Sequence, residues 1–406
     1  MIGGKALPKE IADQIVDRTD GVPLFIEELT KSVVESGVLT EAGDSYTVAR
    51  PDAPLAIPTT LHASLLARLD RLAPTREVAQ IGAALGRQFS HALISAVAPI
   101  PQQQVDDALA RLVRAELIFR RGTPPDAEYT FKHALVQDAA YGTLLRSRRQ
   151  LLHAQIASTL EDCFPEIVAA QPALLAQHCA EAALIEKAVE YWLKAGRQAM
   201  AQWAITEAVA QLRKGLDLLL LSMPDGASRQ DKELDLQMAL GHALLATEGY
   251  AAPEAGQAFA RARQLCEELH RPPKLRVLAG QFSFRLVRAE LLQAEQHACE
   301  IRQLGEAQDD VIWKRSGSSL SGIVCSYLGK FIEARVYLED WLCSWDPKHR
   351  APSTSAEHPY VVSLVHLSRT LLCLGFLNQA RSRRDAGHGA ATLALHASSR
   401  AISRLF

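Results

Sequence analysis

The sequence predicts a mainly α-helical protein, the larger part of which is a solenoid of stacked helix pairs. Of its 406 residues 48% are hydrophobic but only 6% aromatic, a balance typical of helices rich in alanine and leucine. Apolar residues recur at helical spacing through most of the chain. From about residue 176 a short pattern also returns several times, which indicates a repeat array.

Composition and charge exclude several classes of function. The formal net charge of -2 gives no global indication of nucleic-acid binding. The longest nearly apolar stretch, Leu216 to Met223, is far shorter than the roughly 20 residues that a membrane-spanning helix needs. Residues 1–7 lack the basic flank and apolar run of a signal peptide. We therefore expect a cytoplasmic protein without membrane contact.

The cysteines predict neither a metal site nor a redox motif. They stand singly, without a Cys-x-x-Cys pair or a nearby histidine at zinc-ligand spacing: Cys163, Cys179, Cys266, Cys299, Cys325, Cys343 and Cys373. Free cysteine behaves as a small hydrophobe, so we interpret these side chains as packing residues.

The first segment predicts two helices separated by a turn. The first helix ends before the turn cluster Thr19-Asp20-Gly21. Pro23 suits the first position of the second helix, where a missing N–H costs nothing. Glu27 and Glu28 then lie close to the positive end of its dipole, and Gly37 is a good left-handed residue at which to end it.

The next segment predicts three helices followed by a β-hairpin, which is the order of a winged helix. The hairpin strands are Leu117–Phe119 and Tyr129–Phe131, and an earlier strand is possible at Tyr46–Val48. Three apolar stripes predict the helices: Leu61, Leu65, Leu66, Leu69 and Leu72, then Val78, Ile81 and Leu85, and then Val105, Ala108, Leu109, Leu112 and Val113.

Arginines on the third helix and the hairpin leave two interpretations open. Arg111, Arg114, Arg120 and Arg121 could contact phosphates in a DNA-binding winged helix. Acidic residues, namely Asp106, Asp107 and Glu116, stand among them, so a solvated surface is the favoured interpretation. DNA is therefore not the expected partner.

Two motifs resemble one family of signalling proteins. Gly21-Val22-Pro23-Leu24-Phe25-Ile26-Glu27-Glu28-Leu29 resembles the nucleotide-sensing lid of STAND-type ATPases. The segment from Phe131-Lys132-His133-Ala134 to Tyr141, with Arg148 to His153 after it, is similar to the exit from the winged helix in large bacterial proteins. Those proteins join a class III adenylate or guanylate cyclase domain, a STAND ATPase module and tetratricopeptide repeats.

The resemblance implies that Gly21 and Pro23 pack on the adenine side of a nucleotide held by a preceding domain, although an ordinary helix start is the alternative. ATP and magnesium would belong to the parent protein. A phosphate loop needs Gly-x-x-x-x-Gly-Lys-Ser/Thr, and the nearest candidate, Gly3-Gly4-Lys5-Ala6, has no hydroxyl and no strand before it. We assign this chain no cofactor and no catalytic residue; His133 and Tyr141 are expected to pack.

The repeat has a core of six residues, with a small residue first, an apolar residue two later and alanine at the end. In a tetratricopeptide repeat the small residue ends helix A and the alanine lets helix B approach closely. The best copies are Ala289–Ala294, Gly329–Ala334 and Gly375–Ala380, offset by 40 and 46 residues, with weaker copies at Ala183–Ala188 and Trp203–Ala208.

Stacked helix pairs create an extended surface that binds another protein or another part of the same chain. Arg285, Arg288 and Lys330 could line a groove for an acidic peptide, but a solvated charged face is favoured. After Asp385 the sequence contains no acidic residue and loses its apolar stripe. We expect residues 386–406 to form an atypical, disordered tail, whether by frame shift, truncation or divergence of a cap.

The predicted organisation is a lid remnant at 1–37, a linker at 38–57, a winged-helix-like domain at 58–150, a helical connector at 151–175, a solenoid at 176–385 and the tail. We predict a non-catalytic regulatory and protein-interaction region of an ATP-dependent signalling protein, in the first place a class III nucleotide cyclase. The alternative is the regulatory part of a STAND-type transcriptional activator whose DNA-binding output domain lies elsewhere. The sequence on either side of this segment would discriminate between them.

Overall fold

The computed structural model describes residues 6–19, 22–35, 39–43, 45–48, 60–72, 75–345 and 359–393. These residues form twenty α-helices and five short strands, which confirms the predicted mainly α-helical fold. The chain divides into two compact units. The first unit is Met1–Ala170 with Glu181–Leu184, and the second is Gln171–Ala180 with Ile185–Phe406.

The first unit contains nine helices and five strands among its described residues. In chain order these are α1 (Lys9–Thr19), α2 (Pro23–Glu35), β1 (Leu39–Ala42), β2 (Ser45–Val48), α3 (Leu61–Arg71), α4 (Arg76–Leu85), β3 (Gln88–Ser90), α5 (His91–Val97), α6 (Gln102–Arg114), β4 (Ile118–Arg121), β5 (Glu128–Phe131), α7 (Ala134–Gly142), α8 (Arg146–Cys163) and α9 (Pro165–Ala170).

A small apolar core joins α1 and α2 to the antiparallel pair of β1 and β2. Ile11 and Ile15 of α1 pack with Leu29 and Val33 of α2, and Tyr46 of β2 completes the cluster. The spacing of four residues within each helix places both side chains on one face. The helix predicted after the turn is thus confirmed as far as Glu35, whereas Gly21 and Gly37 lie outside the described residues.

A three-stranded antiparallel sheet with the order β3-β5-β4 lies beside α4, α5 and α6. The hairpin was predicted, but β3 and α5 were missed because they span only Gln88–Ser90 and His91–Val97. A local signal for α5 does exist: the hydroxyl of Ser90 accepts a hydrogen bond from the backbone N–H of Leu93, an N-cap. The ring of Phe89 stacks on that of Tyr129 and packs at a tilt against that of Phe131, with centroids 5.8 Å apart in each case.

The second unit consists of helices. They are α10 (Pro172–Glu181), α11 (Ile185–Ala201), α12 (Ile205–Ser222), α13 (Ala227–Glu248), α14 (Pro253–Glu268), α15 (Leu275–Val287), α16 (Leu291–Ala307), α17 (Val311–Tyr327), α18 (Phe331–Cys343), α19 (Pro359–Cys373) and α20 (Leu377–Leu393). From α11 onward, consecutive helices pack as five pairs, so the predicted solenoid character is confirmed.

The turn inside each helix pair passes through one residue in the left-handed conformation. A left-handed residue after a helix turns the chain sharply and lets its N–H groups bond to the last free carbonyls. Glycine adopts this conformation without steric cost, which explains the small residue at the start of the repeat core. These turn residues are Trp203 (φ 62), Gly249 (φ 89), Ala289 (φ 59), Gly329 (φ 76) and Gly375 (φ 85).

The alanine that ends the repeat core is buried in every copy. Ala188, Ala208, Ala294 and Ala334 are 0% exposed and Ala380 is 5% exposed. The register predicted from these alanines is therefore confirmed. The sequence pattern did not identify the pair α13/α14. Its turn glycine, Gly249, precedes the buried Ala255 by six residues, whereas the other copies have a spacing of five residues.

Helix α17 approaches both neighbouring helices so closely that side chains would not fit at two glycines. A Cβ on Gly322 would lie 2.6 Å from Cγ of Leu338 in α18. A Cβ on Gly317 would lie 2.8 Å from Cα of Arg302 in α16. Both distances are shorter than real carbon contacts, so glycine at these two positions of α17 is a packing requirement.

The predicted tail begins inside α20. Gly387 and Ala391 are buried, and a Cβ on Gly387 would lie 3.4 Å from Cβ of Leu364 in α19. Ala391 packs in a cluster with Val361 and Val365. Residues 386–393 of the predicted tail thus belong to a packed helix, while residues 394–406 lie outside the described part of the chain.

We expect Ala334→Leu to destabilise the second unit by about 1–3 kcal/mol, because three added carbons have no room at a fully buried helix contact. Thermal melting followed by tryptophan fluorescence measures the effect, since all five tryptophans lie in this unit. The control is Gln293→Leu, at an exposed position next to the equivalent alanine of α16. Equal melting temperatures for Ala334→Leu and the parent chain would contradict the register.

Candidate functional site

A cavity of about 950 Å³ lies along α2, from Pro23 in its first turn to Glu35 at its end. Its apolar lining comes mainly from Leu7, Pro23, Ile26 and Val34, and charged side chains of α2, α3 and the end of α6 line the rest. Pro23 is exposed and belongs to this lining; its predicted companion Gly21 lies outside the described residues. Among the described residues, no helix could cross a membrane and no group of three metal-ligating side chains occurs.

A fully buried ion pair holds α2 against α3. Arg68 and Glu28 are each 1% exposed and form a salt bridge. The guanidinium of Arg68 also donates to both carboxylate oxygens of Glu35, at 3.0 Å each, and to the carbonyl of Ala115 at 2.6 Å. Burial opposes the charge, but the bonds to Glu35 and the charge of Glu28 outweigh it and raise the pKa of Arg68.

A second, more exposed group of ion pairs connects α2 to the sheet. Glu27 accepts from Lys31 at 2.8 Å and from Lys132, just after β5, at 2.6 Å. Glu116, in the turn between α6 and β4, forms salt bridges with Lys31 and, at 3.6 Å, with Lys132. Hydrogen bonds from Lys132 and then Lys31 lower the pKa of Glu27 to about 2.

We call these two groups together the α2 ion-pair cluster: Glu27, Glu28, Lys31, Glu35, Arg68, Glu116 and Lys132. Sequence reasoning had placed Glu27 and Glu28 near a helix dipole and had missed the cluster. Its partners are far apart in sequence, up to 105 residues for Lys132 and Glu27. The charged groups of the cluster are paired with one another, and these pairs connect α2 to α3, to the turn after α6 and to the residue after β5.

His133 and Tyr141, which are expected to pack, both lie in the first unit. His133 precedes α7, and its buried Nε2 has no hydrogen-bond partner among the described residues. Tyr141 of α7 forms a 2.8 Å hydrogen bond with Nε2 of His153, and Arg149 lies 4.2 Å above its ring. Burial, reinforced by the charge of Glu181, raises the pKa of Tyr141 to about 12.

The basic residues that could bind DNA or an acidic peptide lie in two different environments. In the first unit Arg111, Arg114, Arg120 and Arg121 are exposed on α6 and β4. In the second unit Arg285 and Arg288 both pair with Glu290, and Lys330 pairs with Glu295 at 2.5 Å. These acidic partners agree with the favoured interpretation of a solvated charged face instead of a groove for an acidic peptide.

Comparison with known proteins gives distant likenesses. No protein-family model matches the chain. Over 270 residues the chain is 27% identical to an uncharacterized protein of Rhizobium meliloti (strain 1021), which covers 65% of this chain and 26% of that protein. The chain thus spans about a quarter of the length of this relative. Among solved structures, it is similar to a STAND protein with a tetratricopeptide repeat sensor from Pyrococcus horikoshii, at 11% identity and a TM-score of 0.37, over 97% of this chain and 57% of that chain.

We expect Arg68→Met to destabilise the first unit by about 3–5 kcal/mol, because it leaves the buried carboxylate of Glu28 without a cation. Urea unfolding followed by circular dichroism reports both units, and the tryptophans report only the second, so the first transition can be isolated. The double variant Arg68→Met/Glu28→Met should regain much of the loss. Arg111→Met, at an exposed position, is the matched control. Equal destabilisation by Arg68→Met and Arg111→Met would contradict the contribution of the buried pair.

The depressed pKa of Glu27 predicts a loss of stability in acid. The folded pKa of about 2 lies below the ordinary 4.5, so the contribution is complete above about pH 4.5 and is lost as the pH falls through 2. The difference in unfolding midpoint between the parent chain and Glu27→Gln should therefore be constant at neutral pH and shrink between these values. A pH-independent difference for Glu27→Gln would contradict the pairing.

Proposed function

We propose that this chain is a non-catalytic regulatory and protein-interaction region of an ATP-dependent signalling protein. The observation that carries the proposal is the array of five helix pairs with its regular turns and buried alanines. Stacked pairs present continuous surfaces, and such surfaces serve to bind another protein or another part of the same chain. The regulatory part of the proposal rests on the first unit.

In this proposal α1 and α2 are the helical lid of a STAND-type ATPase, and residues 58–150 are a winged-helix-like domain whose central elements run from α4 to β5. The order helix, strand, helix, helix and hairpin, with β3-β5-β4 as the sheet order, supports the second assignment. The α2 ion-pair cluster supports the first, because it gives α2 a fixed attachment to the sheet. A displacement of α2 by a nucleotide would thereby be transmitted to Glu116 and Lys132.

The residues present fit the base of a nucleotide better than its phosphates. Pro23 and Ile26 offer apolar surface in the cavity, and a volume of about 950 Å³ is in the range of small-molecule sites. The neighbouring cations Lys31 and Arg68, however, are engaged by carboxylates. We propose that Gly21 and Pro23 face the adenine, and that a separate nucleotide-binding domain supplies the phosphate and magnesium ligands.

Two output domains are compatible with this role. The first candidate is a class III adenylate or guanylate cyclase, as the motif resemblance suggests, in a cytoplasmic protein. The second is a transcriptional activator, in which a DNA-binding domain elsewhere would respond to the same module. The exposed arginines of α6 and β4 are shared by both and favour neither, since Asp106 and Asp107 lie on the same helix.

We expect no micromolar binding of Mg-ATP by the chain alone, because a lid without a phosphate loop offers only weak packing of the base. Isothermal titration calorimetry measures binding, and a phosphate-release assay measures hydrolysis. Circular dichroism confirms that the sample is folded. Binding with a dissociation constant in the micromolar range, and weaker binding by the Pro23→Ala variant, would show that the chain holds a complete nucleotide site. That result would overturn the proposal.

A further inference from the structure

An apolar row of α2 with one hydroxyl in it faces the cavity. Ile26, Thr30 and Val34 all line the cavity, and their spacing of four residues places them on one face of the helix. All three are partly buried. The hydroxyl of Thr30 forms no hydrogen bond with any residue that the structure describes, so it is available to donate one to a ligand.

The neighbouring row of α2 is charged, and its charges are already paired. Glu27, Lys31 and Glu35 also line the cavity. Glu27 accepts from Lys31 at 2.8 Å and from Lys132 at 2.6 Å. Glu35 pairs with Arg68 at 3.0 Å. A negatively charged ligand therefore finds no available cation in this row.

Arg114, the last residue of α6, differs from the other cations of the cavity. Lys31 and Arg68 each pair with two carboxylates. Arg114 lines the same cavity and is exposed, and within the described part of the chain its guanidinium forms no ion pair. Its Nε donates to the carbonyl of Ala110 at 3.3 Å, which leaves Nη1 and Nη2 available to a ligand.

The available guanidinium and hydroxyl suit a carboxylate. A guanidinium binds a carboxylate through two parallel N–H···O bonds, and a threonine hydroxyl donates a further one. Ile26 and Val34 offer aliphatic surface for the rest of the ligand, and a volume of about 950 Å³ is in the range of small-molecule sites. Because the carboxylates of Glu27, Glu35 and Glu116 line the same cavity, a second negative charge on the ligand would be repelled.

We propose that Arg114 and Thr30 form a binding site for a small ligand that has an apolar ring and a single carboxylate. The carboxylate binds the guanidinium of Arg114 and accepts from the hydroxyl of Thr30, and the ring lies against Ile26 and Val34. This inference goes beyond the proposed function, which assigns the adenine to Gly21 and Pro23 at the start of α2.

The test compares three probes that carry the same naphthalene ring, substituted at the same carbon, on the whole chain. Naphthoate is a monoanion, naphthamide is its neutral counterpart, and naphthyl phosphate carries more negative charge. Isothermal titration calorimetry should show that naphthoate binds at least about tenfold more tightly than naphthamide, because the amide lacks the charged hydrogen bonds to Arg114. Naphthyl phosphate should bind more weakly than naphthoate.

Two variants locate the site. Arg114→Gln should remove the preference for naphthoate over naphthamide, and Thr30→Val should weaken naphthoate binding about threefold by removing one neutral hydrogen bond. The matched control is Arg111→Gln, at an exposed position of α6 outside the cavity lining, which should bind naphthoate as the parent chain does. Circular dichroism checks that each variant keeps its helicity.

Equal affinities of the parent chain for naphthoate and naphthamide would overturn the inference. So would a folded Arg114→Gln variant that keeps the parent's preference, or the absence of naphthoate binding at millimolar concentrations. Tighter binding of naphthyl phosphate than of naphthoate would overturn the assignment to a carboxylate. No nucleotide is present in these measurements, so the proposed function is tested separately.

Discussion

Close approach of consecutive helices is the constraint on which the second unit depends. Buried alanines and glycines such as Ala294, Gly317 and Ala334 lie where two helices touch, and at Gly317 not even a methyl group fits. The left-handed turn residues serve the same end, because they reverse the chain within a few residues and bring the second helix directly onto the first. Small residues at contacts and turns thus determine the spacing that the larger apolar side chains fill.

The first unit is held together by a different balance. Arg68 and Glu28 lose their hydration on burial, and a buried pair of this kind adds little to net stability compared with apolar side chains. Removing either partner is costly, however, because it leaves an uncompensated charge buried between α2 and α3. The more exposed ion pairs of Lys31 and Lys132 extend this attachment to the sheet, and each contributes less to the free energy of unfolding. The α2 ion-pair cluster therefore specifies position more than it supplies stability, which suits an element proposed to transmit a signal.

Charges in the second unit are largely matched between neighbouring helix pairs. Lys232 of α13 pairs with Glu190 of α11, and Arg213 of α12 pairs with Glu254 of α14 at 2.7 Å. Arg263 of α14 pairs with Glu300 of α16. Each such pair contributes little, but together they satisfy the charged surface within the chain. Within single helices, Arg335 pairs with Glu339 on α18 and Arg384 pairs with Asp385 on α20.

The sequence by itself determined the features that depend on near neighbours along the chain. Helical periodicity placed α1, α2, α3, α4 and α6, and a six-residue pattern located the turns at Ala289, Gly329 and Gly375, because each copy forms the same local contact. Only tertiary structure brought Lys132 to Glu27 and Arg68 to Glu28, residues separated by 105 and 40 positions. It also decided that β3 forms a strand, since three residues carry no periodic signal until β5 pairs with them. Long-range pairing of charges and strand edges is set by the packing of whole elements, and a local pattern contains no record of it.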